Sequence, residues 1–174
     1  MFIIAIDVGI KNLGFSVYDM RERKLVQWRN ECLCVDKFVA SKNVEYVHNF
    51  INKHANFFAQ AHKVLIERQM RVNMKVIEAV FHSRFYEKTI ILPAQSIKMH
   101  FDLSCQNYRA NKKKAIEFIE LQFEQMLQEH FVNMPEWKLF WQEQPKKDDL
   151  ADSLLMVLYY LHSYSNEATQ NVDG

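Results

Sequence analysis

Glycine and proline are scarce, three of each in 174 residues. Long irregular loops have little to be built from, so helices and strands should fill most of the chain. Cysteine is also sparse. Cys32, Cys34 and Cys105 form an odd set, which argues against a closed disulfide framework and fits a reducing, intracellular compartment. The longest apolar run near the C-terminus, LLMVLYYL, falls well short of the roughly 18 residues that a membrane span needs. FIIAIDVGI at the start carries an acid and is too short for a signal peptide. Neither sign of charge dominates: 22 Lys and Arg face 21 Asp and Glu, for a net charge of +1 and a pI near 7.7. The chain is therefore no bulk polycation, and a nucleic-acid partner would have to be met by local positive charge.

What is present suits one globular domain over residues 1–165, with a disordered tail over 166–174. FIIAIDV at 2–8 is a continuous apolar run with one acid, the pattern of a strand buried on both faces. Gly9 and Gly14 bracket a turn. Further strands are expected at about 13–19 and 24–33, completing an antiparallel meander, and then at 63–67 and 89–93. Apolar spacing predicts helices over 42–61, 72–87, 111–130 and 147–163, with short helical turns over 95–104. Pro135 and Pro145 are read as bracketing an aromatic-rich linker, PEWKLFWQEQP. The resulting fold class is α/β: a mixed five-stranded sheet flanked by helices on both faces.

Carboxylates fall in costly places. Asp7 sits inside the first apolar strand, and Glu67 closes KVLIE in the same way. Each acid alone is equally well a strand-end carboxylate facing solvent. Asp149 and Asp152 lie three apart on one face of the last helix, which is apolar around most of its circumference. Asp148 suits the helix N-cap. Brought together, four acids repel one another and raise their pKa values; a divalent cation held by oxygen ligands relieves that conflict.

The ordered set IAIDVGIKNLGFSVYD, LIERQ and DDLADSLL resembles the RuvC-type Holliday junction resolvases over roughly residues 2–164, and KKDDLADS with the chain length resembles their poxvirus branch. The resemblance implies an RNase H-like fold and a structure-selective DNA endonuclease. It implies Asp7, Glu67, Asp149 and Asp152 as metal ligands, with Asp148 the alternative to Asp149. Two Mg2+ ions are implied, Mn2+ substituting. Such an ion pair, about 3.5–4 Å apart, activates water and stabilises the leaving oxygen of a phosphodiester, leaving 5′-phosphate and 3′-hydroxyl ends. The task implied is concatemer resolution in a viral genome, in host cytoplasm and virion.

By the same resemblance Lys98 and one of Lys113 or Lys114 stabilise charge on the scissile phosphate. Lys114 is taken as that catalytic residue. Arg109, Lys112, Lys113 and Lys114 gather where a helix is expected to begin, a ready anion site. Arg68, Arg71 and Lys75 follow Glu67 and are placed beside the cleft as phosphate contacts. The helix over 72–87 has two apolar stripes. One of them, Val72, Val76, Ala79 and Val80, is assigned to a twofold homodimer; burial under another helix of the same chain is the plain alternative. Cys32 and Cys34 are read as packing rather than as half a zinc site, because no second pair is suitably spaced and the seven histidines look scattered. Trp137, Phe140 and Trp141 are read as core anchors rather than a base-stacking platform. DVGIKNLG also resembles the phosphate-binding hairpin of actin-like ATPases, which need two such domains. A nuclease acting on RNA–DNA hybrids or flaps, and a non-catalytic junction-binding protein, are the rival functions.

Overall fold

The computed structural model describes residues 1–105, 107–123 and 130–170. Five strands form one sheet: β1 (Phe2–Asp7), β2 (Leu13–Asp19), β3 (Lys24–Glu31), β4 (Ala61–Glu67) and β5 (Thr89–Leu92). Their order is β3-β2-β1-β4-β5. β1, β2 and β3 pair antiparallel, whereas β4 and β5 run parallel to β1. This is the expected mixed sheet with its meander.

Side chains alternate across the sheet, so each strand feeds two cores. Ile3, Ala5, Trp28 and Leu65 pack on one face against the later helices. Those are α4 (Ala94–His100), α5 (Tyr108–Gln122), α6 (Met134–Glu143) and α7 (Asp148–Gln170). Ile4, Ile6, Phe15, Val64 and Ile66 pack on the other face. Their cover is α1 (Asn43–Lys53), α2 (Ala55–Ala59) and α3 (Val72–Arg84). The centre of the first core is α7: Leu150, Ala151 and Leu154 through Leu158 are fully buried. Ser153 on α7 bonds Ser16 on β2 at 2.8 Å, and Trp28 Nε1 donates to Leu150 O at 2.9 Å. These bonds fix the helix against the sheet in both rotation and height.

Several boundaries differ from expectation. The helix expected over 42–61 breaks at His54, and β4 begins at Ala61. α5 starts at Tyr108 because Asn107 caps it, its side chain accepting from the Arg109 amide at 2.9 Å. The far end of the helix expected over 111–130 lies partly outside the described residues. The segment read as a linker is α6. Pro135 stands in its first turn, where the missing amide hydrogen costs nothing. Its aromatics do anchor the core. Trp141 stacks on Trp28 with ring centroids 5.1 Å apart, and Trp137 Nε1 donates to Leu25 O at 2.8 Å. α7 continues to Gln170, beyond the expected end at 163; residues 171–174 lie outside the described ones.

Candidate active site

The sheet brings the strand acids together. β1 and β4 are parallel neighbours with Ile6 opposite Ile66, so Asp7 and Glu67 close the two strands side by side. Both continue the face that carries Ala5 and Leu65, the face covered by α7. This is the carboxyl edge of the parallel strands, beside the point where the sheet changes from antiparallel to parallel pairing. Open α/β sheets receive ligands at such an edge.

Gly14 sets how closely α7 approaches. It is the cross-strand partner of Asp7. A Cβ on Gly14 would lie 2.2 Å from the Asp149 carbonyl oxygen and 3.3 Å from Asp7 Cβ. Only a residue without a side chain lets the start of α7 reach the strand. Asp149 and Asp152 are thereby buried beside Asp7, at 8% and 9% exposure, despite being charged residues. Gly9 is equally constrained, because a Cβ there would meet Asn12 O at 2.0 Å within the turn after β1.

Burial dominates the electrostatics. It pushes the Asp7 carboxyl well above the usual range, and the charges of Glu67, Asp152 and Asp149 add to the rise, against Lys112. Glu67 is pushed up to about 7, by burial first and then by Asp152. Asp152 is raised by burial, although Lys98 and Lys112 pull it back. For Asp148, burial is outweighed by its bond to Lys112 and by nearby Lys146, so its pKa is lowered. Asp148 is half-buried and held by Lys112, whereas Asp149 is buried.

Three ammonium groups share the site. Lys98 Nζ lies 3.7 Å from Asp152 Oδ1, Lys112 bonds Asp148, and Lys146 bonds Asp149. These ion pairs fall on Asp148, Asp149 and Asp152. Asp7 and Glu67 have no lysine at contact distance among these pairs, and protons suit them best. The donor chemistry fits a divalent cation: hard oxygens, clustered negative charge and burial. Among the described residues, no three such groups already stand as a coordination cage. The lysines hold Asp148, Asp149 and Asp152 instead, so side chains must turn to bind an ion.

The acids open into a cleft of about 730 Å3, lined also by Arg68, Arg71, Lys98, Lys112 and Lys146. Lys75 points elsewhere, into the outer face of α3. Lys113 and Lys114 are exposed and do not line the cleft; Lys113 pairs with Glu117 at 3.3 Å. The reason is helical geometry: with α5 starting at Tyr108, Lys112 faces α7, and Lys114 is about 200° further round the helix. The same start puts Lys112, Lys113 and Lys114 beyond the first turn, so they are not an anion site at a helix N-terminus. Arg109 is exposed in that turn and lies outside the cleft lining. Lys146 had no assigned role from sequence; its spacing of three from Asp149 was the available signal.

The stripe assigned to a dimer is exposed at Val72, Val76 and Ala79, and Val80 packs partly against the core. Val72 and Val76 are 77% and 41% exposed, while Ile77 and Phe81 on the same helix are fully buried. Val72, Val76, Ala79 and Val80 line one shallow apolar depression. The histidines are less scattered than expected. His162 bonds His100 and His130, each at 3.1 Å. All three cysteines are free thiols, and Cys34 is buried with its Sγ toward the Asp36 carbonyl.

The fold recurs among solved structures. The fowlpox virus resolvase in complex with substrate Holliday junction DNA superposes with a TM-score of 0.65 at 20% identity, covering 94% of this chain and 98% of that one. The yeast mitochondrial Holliday junction resolvase gives 0.67 at 20% identity, with 97% and 85% covered. Thermus thermophilus RuvC gives 0.58 at 16%, with 93% and 96% covered. At these identities the likeness establishes the RuvC-type, RNase H-like fold. No curated protein sequence matches the chain. The sequence profile described as Poxvirus A22 protein, however, matches residues 1–164, and the chain belongs to that family.

Proposed function

We propose that this protein is a Holliday junction resolvase, a divalent-metal-dependent endodeoxyribonuclease that nicks four-way DNA junctions in symmetric pairs. One observation carries the reading: Asp7, Glu67, Asp149 and Asp152, from three separate elements, converge at the carboxyl edge of the sheet inside an open cleft rimmed by cations. Membership of the Poxvirus A22 family and the fold of junction resolvases support it.

The four acids would hold Mg2+ or Mn2+, two ions per site. A bound ion supplies Lewis acidity and water activation for phosphodiester hydrolysis. The chain's own residues do the rest. Asp7 and Glu67 are fixed by strand pairing, so the acids are positioned before DNA arrives. Lys98, anchored beside Asp152, is the residue best placed to stabilise charge developing on the scissile phosphate. Lys112 takes the second basic position in place of Lys114. Arg68 and Arg71 at the cleft rim contact the DNA backbone without reading sequence, which suits selection of branched shape.

Two matched nicks require two sites. The Val72/Val76/Ala79/Val80 face of α3, exposed at Val72, Val76 and Ala79 and half-buried at Val80, is the proposed seat of an isologous homodimer. The biological task proposed is separation of replicated viral genome concatemers, in host cytoplasm and virion.

The test is cleavage of four-way junctions, flaps, RNA–DNA hybrids and plain duplex, with and without Mg2+. Paired nicking of the junction in preference to the others is expected. Preferential cleavage of hybrids would replace the reading with an RNase H-like one. Asp7→Asn and Asp152→Asn should abolish cleavage while junction binding persists; full activity in either protein would remove that residue from the site.

A further inference from the structure

Lys146 stands two residues before α7 with its ammonium on Asp149 and 3.7 Å from Asp148 Oδ1. Its carbonyl is pinned by Asn30 Nδ2 at 2.9 Å, so the backbone beneath the side chain is fixed to β3. The side chain itself is 41% exposed, against 11% for Lys98. Lys98 is enclosed beside Asp152; Lys146 has an open path away from Asp149.

We infer that Lys146 is a tethered counter-cation: its ammonium sits on Asp149 in the metal-free protein and is displaced when that carboxylate takes up a divalent ion. The inference rests on reading the acid cluster as a metal site. An ammonium held on a carboxylate takes up negative charge that a divalent ion would otherwise use, and the two cations repel one another across that carboxylate. By linkage, the Lys146 contact and metal binding oppose one another, so loss of Lys146 should raise metal affinity. Lys146 is then a positioning residue that sets the metal concentration at which the site fills and keeps the empty site from repelling itself apart. Lys147 is the natural control. It carries the same charge one residue on, but it pairs with Glu120 at 3.1 Å and lies over the Trp141 ring.

The experiment is calorimetric titration of the full chain with MnCl2 in the absence of DNA, together with thermal unfolding in EDTA. Lys146→Met should bind Mn2+ roughly threefold to fivefold more tightly than wild type, the upper scale of losing one half-exposed ion pair. Its unfolding midpoint in EDTA should fall. Lys146→Arg should restore both values, and Lys147→Met should change Mn2+ affinity less than about twofold. Equal Mn2+ affinity in Lys146→Met and Lys147→Met would overturn the inference while leaving the metal site intact. No Mn2+ binding by the wild-type chain would overturn the metal reading itself, and this inference with it.

Discussion

Glu67→Gln should inactivate the enzyme and yet stabilise it when metal is absent. The side chain keeps its shape and loses only its charge. In the folded chain the carboxyl titrates at about 7 against an ordinary 4.5, chiefly because of burial and then because of Asp152. A carboxyl whose folded pKa is raised binds its proton more tightly in the native state. Its contribution to stability is complete below about 4.5 and is lost as pH rises through about 7. At about 1.4 kcal/mol for each tenfold, that difference is worth at most roughly 3 kcal/mol at pH 8. Relaxation of Asp7 and Asp152 takes up part of it, so about 1–3 kcal/mol is expected. For a chain of this size that raises Tm by roughly 3–10 °C. The assay is thermal unfolding of both proteins in EDTA, at pH 4.5 and at pH 8. The two midpoints should nearly coincide at the lower pH and separate at the higher, with the variant above. A variant less stable than wild type at pH 8, or a gap independent of pH, would refute the premise that this carboxylate is electrostatically strained.

Gly14→Ala places a methyl group 2.2 Å from the Asp149 carbonyl oxygen, so the start of α7 must shift outward. Junction cleavage should fall by about a hundredfold or more, with a stability loss of about 1–3 kcal/mol in denaturant titration. Val76→Glu on the outer face of α3 should give a monomeric mass in light scattering, with junctions nicked on one strand rather than in pairs; a dimer of unchanged stability would place the interface elsewhere. Lys98→Ala should slow single-turnover cleavage more than it weakens junction binding, whereas Lys114→Ala should leave the cleavage rate near wild type. The reverse order would return the catalytic role to the more distant lysine.

Sequence patterning exposes some of these features because their cost is local. Asp7 and Glu67 are legible because each interrupts an apolar strand, where an uncompensated charge is expensive. Asp152 is legible because it lies past the first turn of a helix buried all round. The order of elements along the chain and the meander follow from spacing and turn residues, whereas the strand order β3-β2-β1-β4-β5 comes from the structure. What patterning misses is decided by contacts between distant segments or by single capping residues. Asn107 moves the start of α5 by one turn, and that turn decides that Lys112, rather than Lys114, faces α7. Pro135 looks like a break until its place in the first turn of α6 is known. His100, His130 and His162 are widely spaced in sequence and meet only through packing of α4 and α7 with the segment before α6.

The stability cost and the proposed catalytic capacity have one origin. Strand pairing holds Asp7 beside Glu67, and Gly14 lets α7 bring Asp149 and Asp152 against them. None of these placements favours the empty protein, since burial and mutual repulsion raise the pKa values of Asp7, Glu67 and Asp152 together. Three lysines offset part of the charge, with their contacts on the α7 acids, and Lys98 and Lys112 only partly oppose the rise of Glu67. A buried cluster of carboxylates with raised pKa values is therefore what the fold preserves. A cluster of that kind attracts divalent cations more strongly than monovalent ones. Removing it by neutral substitution should make a more stable protein with no reason to bind metal.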